Sequence, residues 1–251
     1  MGRAYANRKD SMAKTAATKT RIYSRYGREL YVCAKAGGAS PESNPLLKTL
    51  IARAKKDQVP SHVIERALEK ASGAGGEDYA PARYEGYGPR GVAIIVECLT
   101  DNPTRTFNEV RTCFTRTGCT LGNAGSVAHT FDHLAIFVFD GDGEADEEKA
   151  LEALLEQDTD VTNTEFEEGK ITVFCPSHEY GKAKKTLAEA FGEIDFDVDE
   201  IQFVPQATTA LDGEDRATLD KVVELLDDCD DVQNVHHNAD ISDDELTRIL
   251  G

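Results

Sequence analysis

Four basic residues near the start of the chain recur at spacings of 7, 4 and 3, which place them on one narrow face of a continuous helix. They are Lys14, Arg21, Arg25 and Arg28. A row of guanidinium and ammonium groups suits contact with nucleic-acid phosphates, and interleaved Tyr5, Tyr23 and Tyr26 add rings that could stack on bases. The alternative is a solvated helix face.

The charges around this face favour phosphate contact. The first 28 residues contain eight Lys and Arg but a single acidic residue, Asp10, whereas a solvated face usually mixes both signs. The residues predicted to bind nucleic acid are Arg3, Tyr5, Arg8, Lys9, Lys14, Lys19, Arg21, Arg25 and Arg28.

The net charge of −18 over 251 residues is unevenly distributed. Residues 1–72 carry a net +9, and the rest of the chain carries −27. Such asymmetry suggests a basic module that meets a polyanion, attached to an acidic body. Charge alone leaves open an acidic protein whose helical end is incidentally basic.

Residues 86–91, GYGPRG, match the dinucleotide-binding pattern literally. That reading needs a strand before the motif and a helix after it. A strand is instead predicted to follow, and Pro89 removes a backbone N–H that would face a phosphate. The segment is therefore predicted to be a turn that presents Tyr84 and Tyr87.

Metal-like patterns are incomplete. Residues 140–144 resemble the start of a calcium loop, but Ala145 and Leu151 replace the required Gly and Glu. Cys175 and His178 have ligand spacing without a second ligand pair nearby. With no converging catalytic groups, we expect a non-enzymatic protein without a required metal or cofactor.

The composition excludes two other classes of protein. No apolar run approaches the roughly 18 residues that a spanning helix needs, and no secretory signal is visible. The six cysteines are scattered and are predicted to be reduced thiols, mostly buried, in a cytoplasmic protein: Cys33, Cys98, Cys113, Cys119, Cys175 and Cys229.

Apolar spacing predicts an N-terminal helical region. Residues 1–19 are expected to form a basic arm, and a helical form on binding is left open. Helices follow over 20–35, from the Asn44-Pro45 pair, and over 63–71. The glycine-rich run at 73–76 marks the end of this helical region.

The rest of the chain mixes strands and helices. Strands are predicted at 91–100 and 126–131 around a helix at 103–116. A helix at 214–227, a strand at 232–237 and a short helix at 242–250 end the chain. Between these parts the order βαββαβ is typical of a ferredoxin-like domain: strands 134–139, 161–166, 170–175 and 197–204, with helices 146–156 and 178–191.

The predicted fold class is α+β with three lobes. They are a basic helical domain, 1–76, a discontinuous α/β middle domain, 77–132 plus 205–251, and an inserted ferredoxin-like domain, 133–204. The insertion is inferred because neither part of the middle domain is large enough to bury a core by itself.

Motifs spread along the chain resemble the YebC/PmpR family. They include RYEGYGPRG at 83–91, ECLTDN at 97–102 and DDVQNVHHN at 230–238. The family-motif residues are Arg83, Tyr84, Gly86, Gly88, Pro89, Asp101, Asn102, Arg105, Arg111, Gly125 and Ser126.

This resemblance implies a cytoplasmic, non-enzymatic, probable transcriptional regulator with the three-lobed fold. Mitochondrial relatives are translational activators, and bacterial members have been linked to the ribosome. The start departs from the family's Gly-His-Ser-Lys-Trp, since Ala4 and Tyr5 replace its Lys and Trp. The chain looks like the YeeN-like branch.

Three functions are weighed. The preferred one is a DNA-binding transcription regulator, although no helix-turn-helix with a polar recognition helix is evident. The alternatives are a ribosome- or RNA-associated translation factor, and an acidic scaffold whose basic end binds protein. No membrane partner is expected, and a monomer is favoured.

Overall fold

The computed structural model describes residues 3–73, 78–192 and 194–240, with side chains from residue 19 onward. Its helices and antiparallel sheets make this an α+β protein, as the sequence predicts. Contacts divide the chain into two compact units: residues 1–124 with 211–235, and residues 125–210 with 236–251.

The N-terminal helices are α1 (Arg3–Gly37), α2 (Pro45–Lys56) and α3 (Ser61–Ser72). The sequence-based helix limit at residue 20 is wrong, because α1 already begins at Arg3. Residues 3–26 contain no Gly or Pro and are rich in Ala, Lys and Arg, so helix propensity extends through the basic segment.

These three helices enclose a small core. Along α1, Tyr26, Leu30 and Ala34 recur at the spacing of four that keeps side chains on one face. The buried residues of this core are Tyr26, Leu30, Ala34, Leu47, Ala54, Val59, Ile64 and Ala67.

Asn44 joins the end of α1 to the start of α2. Its Oδ1 accepts from Leu47 N at 3.1 Å, which caps α2, while its Nδ2 donates to the carbonyls of Cys33 and Gly38. A single side chain therefore caps the start of α2 and binds it to the end of α1.

The first sheet has the order β3-β1-β2-β8. Its strands are β1 (Ala80–Tyr87), β2 (Ala93–Thr100), β3 (Thr120–Leu121) and β8 (Val232–His237). Helices α4 (Pro103–Arg116) and α7 (Gly213–Asp227) pack against each other in the same unit and bury Val110, Phe114, Leu219 and Leu226.

β1 and β2 form an antiparallel hairpin in register from Ala80↔Thr100 to Tyr87↔Ala93. The sequence analysis missed β1, so its statement that a strand only follows the 86–91 motif is wrong. The predicted turn is present at Pro89–Gly91. No helix opens from it, and a dinucleotide fold therefore remains excluded.

The second sheet has the order β5-β6-β4-β7, with every neighbouring pair antiparallel. The elements run β4 (Phe131–Asp140), α5 (Glu144–Glu156), β5 (Asn163–Glu167), β6 (Lys170–Pro176), α6 (Tyr180–Phe191) and β7 (Val198–Pro205). This is the predicted βαββαβ order with ferredoxin-like strand neighbours.

The hydrophobic core of this unit lies between the sheet and α5 and α6, and its members alternate along β4 and β6 as strand geometry requires. They include Ala135, Phe137, Phe139, Ala150, Leu154, Ile171, Val173, Cys175, Ala183 and Leu187. The β5–β6 turn holds Glu168 and Gly169 at positive φ, as a two-residue type I′ hairpin turn requires.

The strand predicted at 126–131 is wrong. Residues 128–130 form a 3-10 turn, and β4 begins at Phe131. Both the N–H and the hydroxyl of Thr130 donate to the carbonyl of Val127, at 2.9 and 2.7 Å, which favours a turn over an extended strand.

The three-domain division stays a prediction, and the expected helix at 242–250 lies outside the described residues. Within the described ranges, none of the helices is both long enough and apolar enough to cross a membrane.

Candidate nucleic-acid interface

The arginines predicted to contact phosphates are held by an acidic segment of the same unit, residues 227–231. The Arg21 guanidinium pairs with the Asp228 carboxylate, and Arg25 Nη2 lies 2.7 Å from Asp227 Oδ1. These partners are more than 200 residues apart in the chain. The basic face of α1 is therefore neutralised internally along this stretch.

Arg28 completes the set and lies deepest. Its Nη1 is 3.1 Å from Asp231 Oδ1, and it also donates to the Asp230 carbonyl. The exposed side-chain fraction falls from 35% at Arg21 to 28% at Arg25 and 16% at Arg28. Solvent ions can therefore compete for the outer two arginines far more easily than for Arg28.

Sequence reasoning missed residues 227–231 as partners of α1. The available signal was the run Asp-Asp-Cys-Asp-Asp directly after a predicted helix, with four carboxylates in five residues. An acidic run that can complement a basic helix face is a candidate for intramolecular pairing as well as for solvation.

The other predicted phosphate contacts lie towards the start of α1. Lys19 is exposed. The backbone of residues 3–18 is helical, whereas the side chains of Arg3, Tyr5, Arg8, Lys9 and Lys14 are outside the described residues. Because α1 is continuous, these positions and the arginine face belong to the same rod.

The two interleaved tyrosines whose side chains the structure describes, Tyr23 and Tyr26, pack against the helical core. Tyr26 is buried in the helical core, and its hydroxyl donates to the Asp57 carboxylate and accepts from Arg53 Nε at 3.2 Å. Burial and the Asp57 contact raise the pKa of this phenol. Tyr23 also packs against that core.

The family-motif residues Asp101, Asn102 and Arg105 lie at the start of α4. Asn102 caps the helix by accepting from Arg105 N at 3.1 Å, and Pro103 occupies the first helical position. Arg105 Nη2 lies 2.7 Å from Asp101 Oδ1 and 2.7 Å from Asp231 Oδ2. Arg105 of the motif thus pairs with the same buried carboxylate as Arg28, that of Asp231.

Asp231 is 1% exposed and collects these interactions. Besides Arg105, its Oδ2 accepts from Thr106 Oγ1 at 2.6 Å and from Thr100 Oγ1 at 3.2 Å. Burial opposes ionisation, but the Thr106 and Arg105 hydrogen bonds, together with the charge of Arg28, outweigh it and hold the pKa of Asp231 below its usual value.

An open pocket of about 550 Å³ lies beside this cluster. It is lined by Arg28, Tyr79, Asp101, Arg105, Glu109 and residues 228–231. Two arginines face five carboxylates there, so the pocket itself is acidic. A phosphate group has no favourable place in it, which leaves the outer face of α1 as the candidate for polyanion contact.

The motif residues of the β1–β2 hairpin are structural. A Cβ on Gly86 would come within 2.5 Å of Phe114 Cε1 and 2.7 Å of Thr120 O, so glycine is required for this packing. Gly88 N donates to Val92 O at 2.7 Å, which closes the turn that contains Pro89. Tyr84 packs against Phe107 of α4 instead of presenting its ring freely.

The remaining motif residues divide between the two units. In the first unit, Arg83 Nε is 3.6 Å from Glu85 Oε1 on the same strand, and Arg111 is exposed on α4. In the second unit, Gly125 has φ +84° in the turn that also contains Ser126.

The two residues with ligand-like spacing differ in their surroundings. Cys175 is buried in the core of the second unit. His178 instead groups with Asp160 and Glu179 at the surface, an arrangement that is common without a metal. The absence of a required metal remains a prediction.

The comparisons with known proteins cover both parts of the chain. A model described as the TACO1/YebC protein N-terminal domain matches residues 3–74, and a model of the TACO1/YebC second and third domain matches residues 79–239. This chain belongs to the TACO1/YebC family. The resemblance predicted from the sequence motifs is therefore confirmed.

Curated TACO1/YebC relatives are similar over nearly their whole length. A protein of Marinobacter nauticus is 62% identical, covering 96% of this chain and 99% of its own. One of Chromohalobacter salexigens is 61% identical with the same coverage. Both are named probable transcriptional regulatory proteins. The names of these two relatives support a regulatory role for members of this family.

A solved structure agrees with the fold. The crystal structure of a conserved hypothetical protein from Aquifex aeolicus superposes with a TM-score of 0.74 at 32% identity. The match covers 92% of this chain and 94% of that protein.

Proposed function

We propose that this protein is a non-enzymatic regulator of gene expression that binds DNA phosphates through α1. The observation that carries this proposal is the concentration of eight Lys and Arg, against one Asp, in the first 28 residues, all nine of them within one continuous helix. A rod with this charge follows a phosphate backbone by charge complementarity.

The contact set is narrower than the sequence alone suggests. The exposed pairs of Arg21 and Arg25 with Asp228 and Asp227 are each worth about 0–1 kcal/mol, so phosphates can replace those carboxylates at little cost. Arg28 is nearly buried against Asp231, and we assign it a structural role. The proposed contacts are Arg3, Arg8, Lys9, Lys14, Lys19, Arg21 and Arg25.

Sequence-specific base reading has little support. α3 follows α2 after four residues, as in a helix-turn-helix. Its exposed side carries Glu65 and Glu69 beside Arg66 and Lys70, so these charges balance and give no net attraction to a groove lined by phosphates. Binding that depends on phosphates should position the protein without reading bases.

Variants of the arginines and of their acidic partners should change DNA affinity in opposite directions, which tests the proposal. Arg21→Ala with Arg25→Ala should weaken binding to a fluorescent random duplex. Asp227→Asn with Asp228→Asn should strengthen it, because the arginines are released. The matched control, Lys182→Ala with Lys185→Ala, removes two lysine charges from α6 and should leave affinity nearly unchanged.

Salt dependence provides the second measurement. Each phosphate contact contributes roughly −0.9 to the log–log slope of affinity against salt, so five contacts give about −4. The arginine double variant should lower the slope by up to about two contacts. Equal slopes in parent and variant, or equal weakening by the control, would contradict the proposal.

The competition that separates the three functions uses promoter duplex, random duplex and ribosomal particles in one assay. A specific transcription regulator should prefer its promoter by about 10³ or more. Preference for ribosomal particles in low salt would instead favour the translation-factor alternative. If the protein binds none of the three nucleic-acid targets, the protein-binding scaffold is the function that remains.

A further inference from the structure

Two cysteines from distant parts of the chain lie in contact beside the acidic segment. Cys113 stands near the end of α4 and Cys229 follows α7, and their sulfur atoms are 3.6 Å apart. Both sulfurs also lie 3.4 Å from the Leu225 carbonyl. The sequence analysis expected these thiols to act as small apolar groups, and their contact was not foreseen.

We propose that Cys113 and Cys229 form a reversible disulfide site whose oxidising substrate is a peroxide. A disulfide bond is about 2.05 Å long, so the sulfurs must approach by about 1.5 Å from their present contact. Side-chain rotation and a small shift of residues 228–230 would supply such a movement, because these residues lie in the turn between α7 and β8.

The surroundings give the two thiols different roles. Cys229 stands between the carboxylates of Asp228 and Asp230, which disfavour a thiolate there, whereas Arg116 follows Cys113 by three residues on α4. The contact between the sulfurs and the charge of Arg116 lower the pKa of Cys113, while its burial opposes this. We therefore assign the attacking thiolate to Cys113 and the resolving thiol to Cys229.

Access favours this pair over the other buried cysteines. Cys229 lines the open pocket and is half-buried, and the buried Cys113 sulfur lies 3.6 Å behind it, so a small peroxide must pass Cys229 to reach the attacking sulfur. Cys98 lies buried, where burial raises the pKa of its thiol to about 12. Cys175 is enclosed in the core of the second unit.

The reaction balances with hydrogen peroxide as the oxidant. The Cys113 thiolate attacks one peroxide oxygen, the O–O bond breaks, and the departing hydroxide takes a proton from solvent to become water. Cys113 is then a sulfenic acid. The Cys229 sulfur attacks the Cys113 sulfur, the S–O bond breaks, and the departing hydroxide takes the Cys229 proton. Two electrons pass from the sulfurs to the peroxide.

The bond would tether the acidic segment to α4. Cys229 lies between Asp228 and Asp230, which hold Arg21 and Arg28 of α1. Cross-linking residues 116 positions apart reduces the freedom of this loop to open. We therefore expect the amides of 227–231 to exchange with solvent more slowly in the oxidised protein.

Peptide mapping tests the site in the full-length protein. Reduced protein is treated with one equivalent of hydrogen peroxide and digested with trypsin without reductant. Cleavage separates Cys113, in peptide 112–116, from Cys119, and places Cys229 in peptide 222–248. The expected product is 112–116 joined to 222–248, lighter by two hydrogens and released by dithiothreitol.

Matched variants assign the roles. Cys119→Ser should retain the cross-link. Cys229→Ser should leave a sulfenic acid at Cys113 that reacts with dimedone. A cross-link to a different cysteine as abundant as this one, or no cross-link, would overturn the proposal. The parent peptide map decides this even if a serine variant fails to fold.

Hydrogen exchange tests the tether. The amides of 227–231 should exchange at least about threefold more slowly after oxidation, and dithiothreitol should restore the original rate. Unchanged exchange in fully cross-linked protein would contradict the tethering step.

Discussion

Asp231 in the first unit and Asp199 in the second are carboxylates that gather several donors, but they do so from very different distances along the chain. The donors to Asp199, Tyr180 Oη and Lys184 Nζ, lie 19 and 15 residues away. Those to Asp231 come from α1 and α4, with Arg105 and Thr106 more than 120 residues away. The Asp199 cluster therefore joins elements that are close in sequence, whereas the Asp231 cluster joins segments that are remote in sequence.

Burial separates the two clusters further. The Asp199 side chain is 17% exposed, whereas that of Asp231 is 1% exposed. A nearly buried carboxylate with fixed donors leaves those donors without compensation when it is removed, while solvent can replace a partly exposed one. The comparison leads us to expect that loss of Asp231 costs the first unit more stability than loss of Asp199 costs the second unit.

The largest expected effect is the loss of the Asp231 charge. Asp231→Asn leaves Arg28 and Arg105 without their shared carboxylate and should lower the free energy of unfolding by about 3–5 kcal/mol. Asp199→Asn, the matched control, should cost about 1 kcal/mol or less. Denaturant unfolding measures both, and equal losses would break the comparison.

A smaller effect should follow removal of one buried hydroxyl. Thr106 Oγ1 lies 2.6 Å from both Asp231 Oδ2 and Thr100 Oγ1. Thr106→Val keeps the shape and should cost about 1–3 kcal/mol. Thr112→Val on the same helix is the control, since the exposed Thr112 hydroxyl bonds only to its own helix, and should be nearly neutral. A neutral Thr106→Val would show that the hydroxyl contributes nothing to the cluster.

Acid should weaken the first unit through Asp231. Its pKa is lowered in the folded protein, so its ionisation stabilises the fold above the unfolded value of about 3.9, and this stability is lost as pH falls below that value. Unfolding measured between pH 7 and pH 3 should therefore show a steeper decline in the parent than in Asp231→Asn. Identical pH profiles of stability in the parent and in Asp231→Asn would show that Asp231 does not cause the loss of stability in acid.

The smallest expected effect concerns the helix that delivers Arg28. Gly27 lies inside α1, and a Cβ there would meet no atom within 4 Å. Gly27→Ala should raise the free energy of unfolding by about 0.5–1 kcal/mol. The same gain in an Asp231→Asn background would show that helix propensity and the charge cluster act independently. A loss of stability would contradict the open space at this position.

Local patterns were sufficient for much of the fold. Strand alternation and helical spacing predicted the βαββαβ order, because each of its elements carries its own apolar periodicity and connects to its neighbour by a short turn. α4 was predicted with its observed limits, since Asn102 and Pro103 mark its start chemically. The strand β1 was missed, because Gly86 and Pro81 weaken its pattern.

The sequence by itself determined the charge asymmetry, the family motifs and the basic helix face, because these depend on residue types and on spacings within one element. Tertiary structure alone decided that Arg21, Arg25 and Arg28 meet residues 227–231, and that Cys113 meets Cys229. Contacts between residues more than 100 positions apart depend on how the chain packs. Helical and strand periodicity describe spacing within one element and do not indicate which distant segments meet.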